Sequence, residues 1–303
     1  MSLITTPLQS VQQLFPQQAV FRLWSEPSDS SHLKPIVTER SHHLAAPNRA
    51  LSQTQDPEII IYPSKQSKGI GVLIIPGGSY RRVVIDQEGS EIAKQLNHFG
   101  YHAFILNYRM PGDGHRFAAD TPLADAQRAL RWIRAHAHRW QLQHIGVLGF
   151  SAGGHVAGRL SHQFKQVIYP HHDHIDSFSA RPDFSALVYP VISMEQAIAH
   201  PESRQLLIGT NPSPQQIAAY SLEQQVSPET PPCFILHASD DPSVSVENSL
   251  RLWRALSRHQ IATQLHLFER GGHGFGISKT EGLPLAVWPQ LLQQWINSQF
   301  ASK

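Results

Sequence analysis

The fold is decided by the segment Ile145-Gly146-Val147-Leu148-Gly149-Phe150-Ser151-Ala152-Gly153, which lies near the middle of this 303-residue chain. Its first five residues form a short apolar run that predicts a buried strand, and the small residues after Ser151 predict a helix that begins at Ala152. The serine stands in the pattern G-x-S-x-G on a sharp strand-to-helix turn, where side chains at the two glycine positions would collide with the turn. In this context the pattern is typical of a nucleophile elbow, which exposes a serine hydroxyl as a nucleophile.

On both sides of this turn, apolar runs of strand length alternate with segments of helical periodicity. The further predicted strands are residues 58–62, 70–75, 102–107, 184–189, 234–237 and 264–268. Because these runs are almost continuously apolar, we expect a mostly parallel central sheet with helices on both faces, an α/β class fold. Cys233, the only cysteine, precedes one of these runs, which indicates a buried strand position rather than a reactive thiol.

The first part of the chain lacks this regular pattern. Residues 1–55 are rich in Gln, Ser, Pro and His without a sustained period, and we expect an N-terminal arm with one strand near residues 36–38. Residues 56–303 are then predicted to form the α/β domain.

Composition excludes several classes of partner. The hydrophobic share of 41% is sufficient for a sizeable core. A net charge of +2 does not indicate binding to nucleic acid or to an anionic membrane. No apolar run is long enough to span a bilayer. The first residues, Met1-Ser2-Leu3-Ile4, show neither a basic region nor an apolar core of a signal peptide, so a cytoplasmic location is expected.

An acid and a base follow the serine in the chain order that such folds use, Ser, then Asp or Glu, then His. Asp240 and Asp241 both follow a late predicted strand, and we favour Asp241 because it precedes Pro242, which biases it towards an extended turn conformation. Asp240 is then expected to stabilise the loop. His273 lies in Gly271-Gly272-His273-Gly274-Phe275 after the last strand, where glycines let the loop return to Ser151. It is the predicted general base.

Other histidines are weaker candidates. His155 lies close to Ser151 but precedes the acid in chain order, so a structural role is expected. His171-His172-Asp173-His174 resembles a metal cluster, but no second ligand set with a recognisable spacing accompanies it, and a solvated loop is favoured. We therefore expect no metal and no organic cofactor.

A glycine-containing turn follows an early predicted strand and suits an oxyanion hole. It reads Pro76-Gly77-Gly78-Ser79-Tyr80, and the backbone N–H groups of Gly78 and Ser79, together with that of Ala152, are the predicted donors. Tyr80, Arg81 and Arg82 follow this turn and could line the leaving-group side, and Tyr80 and Arg81 are the candidate substrate-binding residues. Arg81 and the adjacent Arg82 could equally be surface charges.

Five motifs together resemble the bacterial carbohydrate esterases of the acetylxylan esterase and feruloyl-esterase-like type, which have the α/β-hydrolase fold. These motifs are residues 74–80, 124–130, 149–155, 188–193 and 271–275. The resemblance covers roughly residues 55–300 and implies a Ser151–His273–Asp241 triad that deacetylates xylan fragments or other acetylated sugars. Ser79 replaces a usual third glycine, Ser245 replaces a usual proline, and the segment 171–174 is unusual.

Other functions stay open at this point. A broad-specificity carboxylesterase or a feruloyl esterase would use the same three residues. A serine peptidase would also use them, although the propeller repeats that often accompany such peptidases are absent from the sequence. A non-catalytic binding protein could share the fold, since a fold does not determine function. The expected partner is a small-molecule or oligosaccharide ester, and the sequence does not predict the oligomeric state.

Overall fold

Two β-sheets and eight α-helices make up the computed structural model, which describes residues 4–25, 32–41 and 47–300. The strands are β1 Ile4–Pro7, β2 Ala19–Arg22, β3 Ile36–Glu39, β4 Arg49–Ser52, β5 Glu58–Tyr62, β6 Ile70–Ile75, β7 Val83–Val84, β8 His102–Asn107, β9 His144–Phe150, β10 Ser185–Val188, β11 Cys233–Ala238 and β12 Thr263–Phe268. The α-helices are α1 Val11–Leu14, α2 Glu91–His98, α3 Thr121–Ala135, α4 Ser151–His162, α5 Pro201–Ile208, α6 Pro214–Tyr220, α7 Glu247–Arg258 and α8 Trp288–Phe300.

The large sheet has eight strands in the order β12-β11-β10-β9-β6-β8-β5-β2. Six neighbouring strands, from β12 to β8, run parallel, whereas β5 and β2 are antiparallel to their neighbours. Strands β6, β8, β10 and β11 are buried along their whole length, which is the reason for their continuous apolar sequence. All seven strands that the sequence predicts in this region are confirmed to within one residue at each end.

Helices cover both faces of this sheet, as predicted. Successive residues of a strand point to opposite faces. At the end of β9, a Cβ atom at Gly149 would lie 2.6 Å from the Cβ of Ala157 in α4. The next residue, Phe150, instead places its ring 6.2 Å from that of Trp288 in α8. Helices α4 and α8 therefore lie on opposite sides of the sheet.

The N-terminal region differs from the expected arm with one strand. The described part of this region contains four strands, and one of them, β2, pairs with β5 and extends the large sheet. The other three, β1, β3 and β4, join β7 in a small antiparallel sheet of order β1-β3-β4-β7. Strand β7 lies just after the predicted oxyanion loop, so the small sheet reaches the neighbourhood of Ser151. These strands are only four residues long and half exposed, which is why their sequence shows no sustained period.

Candidate active site

Ser151 follows β9 directly and adopts the backbone conformation that a nucleophile elbow requires. Its φ angle is +51°, in the left-handed region, which costs a residue other than glycine on the order of 1–3 kcal/mol. The surroundings enforce this geometry. A Cβ atom at Gly153 would lie 2.2 Å from the carbonyl oxygen of Ile75, and one at Gly149 would lie 2.5 Å from that of Gly153. The two glycines of the motif are thus required by close backbone approach.

The structure brings Ser151, His273 and Asp241 into one hydrogen-bonded chain. Ser151 Oγ lies 2.9 Å from His273 Nε2, and His273 Nδ1 lies 2.6 Å from Asp241 Oδ2. These residues follow β9, β12 and β11, parallel strands whose carboxyl ends meet at one edge of the sheet. Because a carboxylate only accepts hydrogen bonds, His273 Nδ1 carries the proton and its Nε2 is free to accept the serine hydroxyl.

Asp241 is held as an ionised carboxylate. Burial alone would raise its pKa, but hydrogen bonds from His237 and His273, and the backbone N–H of Val244, outweigh burial and hold the pKa well below its usual range. Its Oδ1 atom accepts the N–H groups of Ser243 and Val244 at 2.8 and 2.9 Å. The carboxylate is therefore fixed in position and kept charged beside the imidazole.

His237 is a second histidine on the same carboxylate, and the sequence analysis missed it. It is fully buried, and its Nε2 atom lies 3.2 Å from Asp241 Oδ2 and 3.0 Å from the carbonyl oxygen of Val244. Its Nδ1 atom lies 2.7 Å from Ser249 Oγ in α7. The available signal was a polar residue inside the apolar run of β11, four residues before the acid.

Asp240 has a different place from Asp241. Its Oδ1 atom accepts the backbone N–H groups of Gly271 and Gly272 at 2.9 and 2.8 Å, so it fastens the loop that carries His273. The side chain makes no hydrogen bond to the imidazole among the described contacts. Of the two adjacent aspartates, the structure thus places Asp241 in the chain to Ser151 and Asp240 outside it.

The predicted oxyanion donors lie in a tightly turned loop. Gly78 has a φ of +136°, and a Cβ there would lie 2.1 Å from the carbonyl oxygen of Arg82. Ser79 and Tyr80 follow with φ angles of +61° and +62°. No described residue accepts a hydrogen bond from the N–H groups of Gly78, Ser79 or Ala152. Three backbone donors are thus available beside Ser151, and Ala152 adds the positive end of the α4 dipole.

Tyr80 and Arg81 are not placed as the sequence analysis expected. Tyr80 is buried, and its hydroxyl donates to His155 Nδ1 at 2.6 Å, while His155 Nε2 donates to the carbonyl oxygen of Tyr220 at 2.7 Å. Burial lowers the pKa of His155 to about 3, so this histidine is neutral and structural, as predicted. Arg81 points outward and pairs with Glu202. The reason is the left-handed turn at residues 79–80, which a linear sequence does not reveal.

A small cavity of about 150 Å³ opens beside Ser151 and His273. Besides these two residues it is lined by residues of the oxyanion loop, of the loop after His273 and of the small sheet, namely Gly78, Ser79, Gly274, Arg40, Arg82, Val84, Gln87, Glu88 and Lys279. Arg40, Glu88 and Lys279 were not identified from the sequence, because they lie far from any motif. Arg82, rather than Arg81, faces the cavity.

Glu88 holds the oxyanion loop in position by hydrogen bonding. It lies in a π-helical turn, Asp86–Ser90, of a kind that often occurs at functional sites. Its Oε2 atom accepts the N–H of Gly77 at 2.7 Å, and its Oε1 atom accepts the hydroxyl of Tyr189 at 2.9 Å. Both carboxylate oxygens are therefore used in positioning the loop and the strand end beside Ser151.

The segment with several histidines, residues 171–174, is part of the scaffold. Asp173 accepts two hydrogen bonds from Arg128 in α3, at 2.7 and 2.6 Å, and the Arg128 hydrogen bond lowers the pKa of Asp173 to about 2. Within the described ranges, no group of three or more His, Cys, Asp or Glu side chains is arranged to hold a metal ion. Cys233 is buried in β11, where burial raises its pKa to about 12.

A model of the family described as BD-FAE matches residues 59–256, which is more than half of the chain. The chain belongs to the BD-FAE family. The matched residues contain the elbow, the oxyanion loop and Asp241, whereas His273 lies beyond them.

Relatives of this BD-FAE member include two curated proteins and a solved structure. It is 36% identical to endo-1,4-beta-xylanase B of Butyrivibrio fibrisolvens over 69% of its length, and 30% identical to the acetylxylan esterase of Xylanibacter ruminicola over 84%. It spans 33% and 50% of the length of these two relatives. The acetyl ester-xyloside bifunctional hydrolase of Caldicellulosiruptor lactoaceticus is 33% identical, with a TM-score of 0.74 over 93% of this chain and 96% of that one.

Proposed function

We propose that this BD-FAE family member is a serine esterase that hydrolyses small acyl esters, acetyl esters above all, of xylo-oligosaccharides or other sugars. The observation that carries the proposal is the continuous hydrogen-bonded chain from Ser151 Oγ through His273 to Asp241. Three backbone N–H groups of the oxyanion loop and of α4, for which no described residue is an acceptor, support it. The names of the acetylxylan esterase and acetyl ester-xyloside hydrolase relatives support the choice of acyl group and alcohol.

In the proposed reaction, Ser151 Oγ attacks the ester carbonyl carbon while His273 Nε2 takes the hydroxyl proton. The carbonyl oxygen becomes an oxyanion, which the N–H groups of Gly78, Ser79 and Ala152 stabilise. Each such donor is typically worth about 2.7–4 kcal/mol in the transition state. The tetrahedral intermediate collapses, the C–O bond to the alcohol breaks, and His273 gives its proton to the leaving oxygen.

The acyl group is then bound to Ser151 as an ester, and water releases it. His273 takes a proton from the water as its oxygen attacks the acyl carbon, and the same N–H groups hold the second oxyanion. When this intermediate collapses, the proton returns to Ser151 Oγ and the carboxylic acid leaves. Asp241 stays ionised throughout, because hydrogen bonds lower its pKa, and it stabilises the imidazolium that forms twice in the cycle.

The cavity size supports a small ester as the substrate. A volume of about 150 Å³ is below the range of roughly 300–1,000 Å³ usual for pockets that enclose larger ligands. An acetyl group leaves more of this space to the alcohol part of the ester than a long acyl chain or a feruloyl group would. No described helix is both long enough and apolar enough to cross a membrane. The cytoplasmic location stays a prediction.

The test is hydrolysis of 4-nitrophenyl acetate, butyrate and octanoate by the wild type and by Ser151→Ala, followed by acetate release from acetylated xylo-oligosaccharides. We expect acetate to be the preferred acyl group, and Ser151→Ala to lose about 10⁴-fold or more of the activity. Preference for octanoate, or release of ferulate but not of acetate, would replace the proposal by a general carboxylesterase or a feruloyl esterase. Hydrolysis of none of these esters would leave a peptidase or a binding protein.

A further inference from the structure

The cavity beside Ser151 carries an excess of positive charge. Arg40 follows β3, Arg82 precedes β7, and Lys279 lies after the His273 loop, and all three line the cavity. The lining contains one carboxylate, that of Glu88, and both of its oxygens already accept hydrogen bonds from Gly77 and Tyr189. The charged side chains that line the cavity are thus three cations and one carboxylate.

None of the three cations forms an ion pair with a carboxylate of the described ranges 4–25, 32–41 and 47–300. Other arginines of this protein do so, among them Arg49 with Asp86 and Arg109 with Asp125. In Arg82 the Nε atom is buried and has no hydrogen-bond partner among these residues. A buried donor without an acceptor costs stability, and because this atom is closed to solvent, only the other N–H groups of the guanidinium can reach a ligand in the cavity.

Arg40 and Arg82 are close enough to affect each other. Among the residues that the structure describes, Arg40 has one side-chain hydrogen bond, to the neutral amide oxygen of Asn48. Burial, and then the charge of Arg82, lower the pKa of Arg40, whereas the charges of Glu88 and Glu39 oppose this. Two guanidinium groups that repel each other beside a cavity are stabilised when a bound anion lies between them, and guanidinium is the side chain best suited to a carboxylate or phosphate.

We infer that Arg82, Arg40 and Lys279 form an anion subsite next to Ser151, and that the preferred ester carries a carboxylate or phosphate on its alcohol part. The alcohol part is favoured because the cavity shares His273 and Gly274 with the position where the leaving oxygen receives its proton. This inference rests on the proposed esterase function and narrows its substrates to acylated acidic sugars, either uronic acid derivatives or sugar phosphates.

The test compares three acetate esters of the same ring: phenyl acetate, 4-acetoxybenzoate and 4-acetoxyphenyl phosphate. Their kcat/KM values are measured at low ionic strength and divided by the hydroxide-catalysed rates, which removes differences between the leaving groups. We expect an anionic ester to exceed phenyl acetate by about tenfold or more, as one charge-assisted hydrogen-bond pair allows. A gain for the carboxylate alone points to uronic acids, and a gain for the phosphate alone points to sugar phosphates.

Arg82→Gln should lower this anionic-to-neutral ratio about tenfold or more. The matched control is Arg81→Gln, which removes a neighbouring charge that pairs with Glu202 outside the cavity and should keep the wild-type ratio. A corrected ratio of one or less for both anionic esters would overturn the inference, as would an equal effect of Arg82→Gln on the neutral and anionic esters.

A binding measurement separates this inference from the proposed function. Calorimetry on Ser151→Ala, with 4-hydroxybenzoate, phenyl phosphate and phenol as probes, requires no turnover. We expect an anionic probe to bind more tightly than phenol, and the difference to be lost in Ser151→Ala combined with Arg82→Gln. If no ester is cleaved but this difference is found, the esterase proposal fails and the anion subsite stands. If esters are cleaved but neither anion binds better than phenol, the subsite is wrong and the esterase proposal stands.

Discussion

The large and small sheets reach the same cavity with different chemistry. The carboxyl edge of the large sheet carries Ser151, Asp241 and His273, whose side chains are linked to one another by hydrogen bonds. The small sheet brings Arg40 and Arg82, which form no ion pair with a carboxylate among the described residues. The large sheet thus provides a self-contained reaction centre, whereas the small sheet provides positive charges that a bound anion would neutralise. Bond cleavage and substrate selection are, on this account, assigned to separate parts of the fold.

The largest expected effect concerns the large sheet and its two adjacent aspartates. Asp241→Asn should reduce kcat/KM for 4-nitrophenyl acetate about 10⁴-fold, because an amide favours the wrong tautomer of His273. The matched control, Asp240→Asn, keeps an oxygen that can accept from Gly271 and Gly272 and should lose less than about tenfold. A larger loss in Asp240→Asn than in Asp241→Asn would exchange their roles.

A smaller effect, on the free energy of unfolding, is expected where the small sheet is joined to the π-helical turn that carries Glu88. Arg49 in β4 donates to both oxygens of the buried Asp86, at 2.7 and 2.8 Å, and this hydrogen bond raises the pKa of Arg49. Arg49→Met leaves Asp86 without its cation and should lower the free energy of unfolding by about 3 kcal/mol, measured by urea denaturation.

The control for that prediction is Arg22→Met. This change breaks the exposed ion pair between Arg22 of β2 and Asp56. It should change the free energy of unfolding by less than about 1 kcal/mol, since exposed ion pairs contribute little. Equal losses in the two variants would show that the junction between the small sheet and the π-helical turn is no more important than a surface contact.

The smallest effect is an effect on stability and concerns Glu58 of β5. Glu58 and Leu51 of β4 line a polar cavity of about 230 Å³ between the two sheets. Burial raises the pKa of Glu58 to about 7 from 4.5, although a hydrogen bond with Asn107 opposes this. The folded protein therefore binds the proton more tightly than the unfolded chain. The stability that protonated Glu58 contributes is fully present below about pH 4.5 and is lost as the pH rises through about 7.

Glu58→Gln removes this ionisation and should make the protein more stable than the wild type at pH 8, by at most about 3 kcal/mol. At pH 4 the two proteins should be similar. Thermal or urea unfolding across this pH range measures the difference. A wild type that is the more stable protein at pH 8 would contradict the buried, protonated state of Glu58.

The same contrast between the sheets explains what could be predicted from the sequence. The parallel strands are continuous apolar runs, and the elbow, the acid and the base lie in loops directly after them, so their positions follow from chain order. The small sheet consists of short, half-exposed strands without a clear period, and it was expected to be an arm with one strand. Of the three residues after the oxyanion loop, Tyr80 is buried, Arg81 is exposed and Arg82 lines the cavity, because two consecutive left-handed residues reverse the direction of the loop. Glu88 acts through a contact with Tyr189, which lies 101 residues away and which a single sequence does not reveal. His237 lies only four residues before Asp241, and its polar side chain inside an apolar run was a signal that the sequence did offer.

The most direct test of the central claim is labelling by a fluorophosphonate probe, with the modified residue identified by peptide mass spectrometry. The account predicts a single rapidly labelled residue, Ser151, and no such labelling in Ser151→Ala. It also predicts slow labelling in Asp241→Asn, because the serine hydroxyl would then lack a competent base. Rapid labelling that persists in Ser151→Ala, or that maps to another residue in the wild type, would contradict the account.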